Sequence, residues 1–150
     1  MRASGVISVH VTAVPPDLPL EHAHSLMQKL KVRHLPVVSQ GKLAGMLSDR
    51  DVLLAVGGKK DGHLVYLDLT AGEAMSLSPI VAPPDASVGD LARAMVENRI
   101  DAVPIVSERG ELVGMVTSTD LLALLGEQGE ESQPKLSFQI HRVDNVGARA

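Results

Sequence analysis

The sequence predicts a mixed α/β (α+β) fold built from two pseudo-symmetric copies of one small unit. The segment from Thr12 to Ala55 recurs, with one inserted residue, from Ile80 to Leu124. Each copy is patterned as strand, helix, strand, strand, helix (β-α-β-β-α), and a unit of this size buries too little apolar surface to be stable alone. Two copies are too few for a solenoid, so we predict that they pack sheet to sheet.

The repeat depends on identical or similar residues at a constant spacing. Pairs separated by 68 positions are Pro15 and Pro83, Pro16 and Pro84, Asp17 and Asp85, Met27 and Met95, and Pro36 and Pro104. One residue is inserted in the second hairpin, and the later pairs are therefore separated by 69: Gly41 and Gly110, Gly45 and Gly114, Met46 and Met115, Ser48 and Thr117, and Asp51 and Asp120.

The elements follow from periodicity and from residues that end regular structure. In both copies a Pro-Pro-Asp sequence ends a short extended piece, since proline can neither donate to a ladder nor sit inside a helix. In the second copy an apolar stripe at helical spacing predicts a helix over 88–98, with Ser87 and Asp90 as its start signal. The other predicted elements are strands at 11–14, 35–38, 42–47 and 80–82, a helix at 20–31, and helices beginning at Ser48 and Thr117.

Composition suggests the boundaries of the two units and of the segments that join and follow them. We predict a first motif at 6–56, a linker at 57–70, a second motif at 71–125, and a polar linker followed by an edge strand at 126–150. The linker begins Gly-Gly-Lys-Lys-Asp-Gly and then becomes apolar. The tail segment GEQGEESQP has the composition of a solvated linker, whereas KLSFQIHRV alternates as a strand does.

Charge and residue usage exclude several classes of function. The chain has 14 basic and 18 acidic residues, a net charge of −4, and no basic run, which argues against binding to nucleic acid. It has no cysteine, and Tyr66 and Phe138 are its only aromatic residues, so thiolate chemistry and stacking platforms are excluded. No apolar stretch approaches the roughly 20 residues of a membrane span, and we expect a soluble, cytoplasmic protein.

The repeated motifs resemble a tandem pair of CBS domains, which is also called a Bateman module. The resemblance rests on VRHLPVV…GKLAGMLSDRDVL in the first copy and on AGEAMS…IVAPPDASVGDLARAM…IDAVPIV…GELVGMVTSTDLL in the second. The first copy departs from the family pattern at GVISVHVTAV, which lacks the usual Asp-Ile-Met-Thr lead-in. The resemblance implies no catalysis or catalytic cofactor. It implies binding of AMP, ADP, ATP, S-adenosylmethionine or NAD in clefts between the copies, and pairing of two modules into a disc-like dimer.

The residues that open the last helix of each copy suit a nucleotide. At Ser48 and Thr117 backbone N–H groups should converge on a phosphate, and a carboxylate three residues later, Asp51 or Asp120, can accept hydrogen bonds from ribose hydroxyls. Arg50 adds a cation at a place where the second copy has Thr119. The alternative is that Ser/Thr-x-x-Asp is an ordinary capping box, and both roles can coexist.

By resemblance, the adenine lies between aliphatic walls and bonds to the backbone before Pro36 or Pro104. Each cleft then combines one copy's Asp-bearing turn with the other copy's strand edges, so that Asp120 works with Thr12 and 33–34, and Asp51 with Ile80 and 101–102. The apolar members are alternatively plain core. The predicted nucleotide-binding residues are Thr12, Val32, Arg33, His34, Met46, Ser48, Arg50, Asp51, Ile80, Ile100, Asp101, Ala102, Met115, Thr117, Thr119 and Asp120.

These observations predict a sensor of adenine nucleotides that signals occupancy through the geometry of a homodimer to an effector protein. One alternative is a structural module of the same fold with empty clefts. A second is an enzyme acting on a nucleotide, although the sequence offers neither a base–nucleophile pair nor a metal cluster. The tail LSFQIHRVDNVGARA also resembles the first strand and turn of ACT domains, which bind amino acids.

Overall fold

The computed structural model describes residues 11–127, which contain five helices and seven strands. In chain order these are α1 (Leu20–Leu30), β1 (His34–Ser39), β2 (Lys42–Ser48), α2 (Asp49–Leu54), β3 (Val56–Lys60), β4 (His63–Tyr66), α3 (Ala71–Ala74), β5 (Ser76–Leu77), α4 (Val88–Asn98), β6 (Ala102–Val106), β7 (Leu112–Thr117) and α5 (Ser118–Glu127). The mixed α+β class and the internal duplication are those that the sequence predicts.

The two copies repeat one another in sheet geometry. β1 pairs with β2 and β6 with β7, both antiparallel, and each pair has a register shift at the same place, after Val37 and after Ile105. The predicted opening strands at 11–14 and 80–82 are corrected to single parallel bridges, Val14 with Val37 and Ala82 with Ile105. The prolines that follow lack an N–H group, so the ladder cannot continue.

The long helices α1 and α4 begin differently and end alike. Both end at a residue in the left-handed conformation, Lys31 with φ 57° and Arg99 with φ 53°. The Ser87 hydroxyl caps α4 by accepting the Asp90 N–H at 3.0 Å. No side chain caps α1; instead the Leu20 N–H donates to the carbonyl of Leu69 at 2.9 Å, so a segment distant in sequence satisfies the helix start.

The segment between the copies is ordered against the first copy. β3 and β4 form an antiparallel hairpin that begins at Val56, the last residue of the predicted first motif, and otherwise lies in the predicted linker; it turns at Asp61 and Gly62, both with positive φ. The Tyr66 hydroxyl at the end of this hairpin hydrogen-bonds His24 on α1. After the linker, β5 adds to the first copy's sheet by pairing antiparallel with β2. The start of the second predicted motif therefore completes the sheet of the first.

The copies meet through the strands. Met46 of β2, Ala102 of β6 and Met115 of β7 form a buried cluster, with the partly buried Val11 against it. The Leu43 N–H also donates to the carbonyl of Gly110 at 3.1 Å, linking the two hairpins. Sheet-to-sheet packing therefore buries apolar surface that a single copy would leave in water.

Some of the predictions fall on parts of the chain outside the described residues. These are the front of the first motif (6–10), the edge strand within 126–150 and the ACT-like resemblance of the tail. Within residues 11–127, none of the helices has both the length and the hydrophobicity that crossing a bilayer requires.

Candidate functional site

Two clefts are lined by residues of both copies. Cleft 1 has a volume of about 370 Å³ and cleft 2 about 350 Å³. Both volumes fall within the range of small-molecule pockets, roughly 300–1,000 Å³. Cleft 1 is lined by Val11, Thr12, Leu30, Lys31, Val32, Arg33, His34, Leu35, Asp101, Met115, Thr117, Ser118, Thr119 and Asp120. Cleft 2 is lined by Arg33, His34, Met46, Ser48, Asp49, Arg50, Asp51, Ser76, Pro79, Ile80, Arg99, Ile100, Asp101, Ala102 and Pro104.

The structure brings the sequence-predicted residues together in these two places. Every one of them lines cleft 1 or cleft 2, and each cleft combines the Asp-bearing turn of one copy with the strand edge of the other. Asp120 shares cleft 1 with Thr12 and the 32–34 segment, while Asp51 shares cleft 2 with Ile80 and the 100–102 segment. Their contacts with a ligand stay predictions.

Sequence reasoning missed two cations. Lys31 lines cleft 1 and Arg99 lines cleft 2, and the two are equivalent, 68 positions apart. Each is the C-terminal cap residue of a long helix and has a left-handed backbone conformation. A basic residue at the end of each predicted helical stripe was the available signal. The other lining residues not singled out are apolar or small, except Asp49 beside Arg50, and carried no chemical signal in the sequence.

Both aspartates take part in capping boxes. The Ser48 N–H donates to Oδ2 of Asp51 at 2.8 Å, and the Asp51 N–H donates to the Ser48 hydroxyl at 3.1 Å. The second copy repeats this with Thr117 and Asp120, at 2.8 and 3.2 Å. The structural role of Ser/Thr-x-x-Asp is therefore present. Within residues 11–127, Oδ1 of each carboxylate receives no hydrogen bond, which leaves one oxygen for a second role.

The expected convergence of several N–H groups on a phosphate is corrected. A helix start has four N–H groups without an intrahelical partner. At α2 the capping box uses two, and the Asp49 N–H donates to the Arg33 carbonyl at 2.9 Å. At α5 the same count holds, with the Ser118 N–H donating to the Asp101 carbonyl at 2.8 Å. Among the described residues no acceptor faces the N–H of Arg50 or that of Thr119, so one backbone donor is left at each start.

The clefts differ in their charged groups. Cleft 2 is lined by Arg33, Arg50 and Arg99, whereas cleft 1 has Lys31 and Arg33. Thr119 lies in cleft 1 where Arg50 lies in cleft 2, which follows from their equivalent positions in the repeat. Cleft 2 therefore has one more cationic group to offer an anion. It also has three carboxylates, Asp49, Asp51 and Asp101, against Asp101 and Asp120 in cleft 1, so the formal charges of the lining residues balance in both clefts.

His34 lines both clefts. Burial lowers the pKa of its imidazole, against the opposing effects of the nearby carboxylates of Asp49 and Asp101. The ring is therefore neutral at pH 7 and offers one donor and one acceptor rather than a charge. Among the described residues, no cluster of three His, Asp or Glu side chains has the arrangement that would hold a metal ion.

Comparison with known proteins identifies the family. The CBS domain model matches residues 3–58 and 71–127. The chain is 34% identical over 116 residues to the CBS domain-containing protein YhcV of Bacillus subtilis, covering 77% of this chain and 79% of that protein. It is 32% identical over 120 residues to inosine-5'-monophosphate dehydrogenase of Korarchaeum cryptofilum, covering 80% of this chain. The chain spans only about a quarter, 23%, of that enzyme's length.

A solved structure has the same fold. The CBS domain pair of protein MJ0100, in complex with 5'-methylthioadenosine and S-adenosyl-L-methionine, superposes with a TM-score of 0.74 at 26% identity. The superposition covers 86% of this chain and 98% of that one. Together with the duplicated β-α-β-β-α unit, these matches show that the chain belongs to the CBS domain family.

Proposed function

We propose that this protein is a non-catalytic regulatory module that binds adenosine-containing ligands of the AMP, ADP or ATP class in clefts 1 and 2. One observation carries the proposal: each cleft joins a carboxylate with a spare oxygen, Asp51 or Asp120, to the strand edge of the opposite copy. A carboxylate in this position accepts hydrogen bonds from both ribose hydroxyls, while backbone groups at the strand edge bond to the base.

Different groups in each cleft suit the different parts of a nucleotide. Met46 in cleft 2 and Met115 in cleft 1 supply apolar surface of the kind that packs against an adenine ring. The open N–H of Arg50 or Thr119 lies at the start of its helix, on the same turn as the carboxylate. The order from base to ribose to phosphate therefore runs from strand edge to helix start.

The additional guanidinium of cleft 2 implies that the two clefts prefer different ligands. Cleft 2, with Arg50 and Arg99, accommodates more phosphate than cleft 1, and a guanidinium can bind phosphate in a bidentate manner. Asp49 next to Arg50 opposes this preference. The ligands named in the MJ0100 structure, 5'-methylthioadenosine and S-adenosyl-L-methionine, support adenosine as the part that the ligands share. The number of phosphate groups that each cleft accepts then depends on its cations.

Occupancy is passed on through a homodimer to an effector protein. Leu54 on α2 is 78% exposed and Leu122 on α5 is 66% exposed, together with Leu53 and Leu125 on the same helices. Exposed apolar helix surface of this kind favours pairing with a second copy. A ligand changes the dimer only if it binds one arrangement of the copies better than another. A sensor of adenine nucleotides acts where these are made and used, so the proposal locates the protein in the cytoplasm.

Calorimetric titration of nucleotide-free protein with AMP, ADP, ATP, S-adenosylmethionine and NAD tests the binding proposal. Asp51→Asn and Asp120→Asn retain an oxygen for the helix cap but remove the charge, and each should weaken binding in its own cleft. Asp90→Asn is the matched control, because Asp90 is at the same position of a capped helix outside both clefts. Equal weakening by all three variants, or none by the first two, would contradict the assignment.

The titration and an incubation assay separate the alternatives. A folded dimer that binds none of the five compounds would be a structural module. Formation of a new product during incubation with ATP or AMP would make the protein an enzyme.

The dimer surface is tested by Leu54→Glu combined with Leu122→Glu. This double variant should reduce the mass measured by light scattering to that of a monomer, and an unchanged mass would contradict the proposed surface.

A further inference from the structure

Arg33 and Asp101 lie where the two clefts meet. They are equivalent residues of the two copies, 68 positions apart, and each lines both clefts. Nη2 of Arg33 lies 3.9 Å from Oδ2 of Asp101, so the pair joins one copy to the other. The two side chains are 62% and 58% exposed, so the fold does not enclose the pair that lines both clefts.

The backbone carbonyls of the same two residues bond to the helices that carry the cleft aspartates. The Arg33 carbonyl accepts the N–H of Asp49, the first residue of the helix that carries Asp51 in cleft 2. The Asp101 carbonyl accepts the Ser118 N–H in the same way, at the start of the helix that carries Asp120 in cleft 1. The backbones of these residues form the strand edges, but the pair also lies beside both helix starts, where the phosphate of each ligand is proposed to bind.

We propose, on the basis of the binding function above, that Arg33 and Asp101 couple the clefts negatively for ligands that carry phosphate. The pair contains one guanidinium for two clefts. When a phosphate in one cleft draws Arg33 toward it, the other cleft loses that cation and keeps the unpaired carboxylate of Asp101. The second phosphate ligand is then bound more weakly than the first.

The size of the effect follows from the exposure of the pair. Interactions of exposed ion pairs are weak, and the expected coupling is about two- to fivefold in affinity. Adenosine carries no phosphate to attract the guanidinium, so the two clefts should bind it independently.

The experiment compares the two clefts filled together with each filled alone. Calorimetry with ADP gives two stepwise association constants for the parent protein. Asp120→Asn weakens cleft 1 and Asp51→Asn weakens cleft 2, so the tighter constant of each variant is that of its intact cleft, cleft 2 and cleft 1 in turn. Without coupling, the product of the stepwise constants equals the product of the single-cleft constants; we expect it to be about two- to fivefold smaller.

Three further samples test whether the pair carries the coupling. The coupling is measured by the ratio of the product of the stepwise constants to the product of the single-cleft constants. Arg33→Gln should bring this ratio to one. Arg33→Asp combined with Asp101→Arg should restore the ratio of the parent, because the guanidinium again serves both clefts. Arg93→Gln is the control, since the exposed Arg93–Asp90 pair lies on α4 away from the clefts. A parent ratio of one, or a ratio that Arg33→Gln leaves unchanged, would overturn the coupling while the binding function stands. No binding of ADP in any sample would overturn the coupling, and the absence of binding by all five compounds named above would overturn the binding function as well.

Discussion

The two copies have the same plan but differ in what completes their cores. The first core contains Ala71, with Leu69 and Met75 packed against it, and all three follow the first copy in sequence. The described part of the second core consists of residues of its own helices, strands and loops, such as Leu91 and Ile105. The comparison shows that the boundary between the repeats in sequence is not their boundary in space, because residues 69–77 serve the copy that precedes them.

The largest expected effect comes from two equivalent methionines. Met27 and Met95 are both buried, 68 positions apart, on α1 and α4. Truncation of a buried methionine to alanine costs about 2–5 kcal/mol. We expect Met27→Ala to cost more than Met95→Ala, because the core around Met27 is the larger. Urea unfolding of both variants measures the difference, and an equal or greater loss from Met95→Ala would contradict the comparison.

Gly45→Ala tests the attachment of the lead-in to the first copy. A Cβ at Gly45 would lie 2.5 Å from Sδ of Met75 and 2.7 Å from the carbonyl oxygen of Ser76, so β5 must shift. Overpacking of this kind costs about 1–3 kcal/mol. Gly89→Ala on α4 is the control, because its Cβ would come no closer than 3.5 Å to Arg93. Thermal unfolding should show a lower midpoint for Gly45→Ala only; equal midpoints would mean that β5 is loosely held.

Ser87→Ala sharpens the contrast between the starts of α1 and α4. The Ser87 hydroxyl caps α4, whereas the Leu69 carbonyl satisfies the start of α1. Loss of such a cap costs about 1 kcal/mol. Ser87→Asp should recover stability, since its carboxylate can accept the same N–H. If urea midpoints show that Ser87→Asp is no better than Ser87→Ala, the hydroxyl is not acting as a cap.

The smallest expected effect is a pH dependence that only the first copy has. His34 is equivalent to Ala102, and burial lowers the pKa of His34 below its usual value of 6.5. The unfolded chain therefore takes up this proton at a higher pH than the folded protein, and stability falls as the pH drops through 6.5. His34→Ala should remove this part of the loss. Unfolding free energies at pH 7.5 and 5.5 test it, and an unchanged pH slope in the variant would contradict it.

Much of the fold follows from local patterns. The stripe beginning at Val88 and the cap at Ser87 predict α4 with the bounds that the structure has. The predicted helix over 20–31 ends one residue earlier, because Lys31 adopts the left-handed conformation. The opening strands at 11–14 and 80–82 shrink to single bridges. Pro15 and Pro83 end each ladder as the sequence predicts, but local patterns do not show which of the preceding residues pair with β1 or β6.

The sequence by itself determined the duplication, because matched residues recur at a constant spacing. The pairing of each aspartate with the opposite strand edge was implied by the resemblance to the CBS family. Only the tertiary structure decided that residues 69–77 complete the first copy and that the Arg33 and Asp101 carbonyls occupy a donor at each helix start. These contacts join residues far apart in sequence. Local periodicity and turn chemistry do not specify such partners; the packing of the copies does.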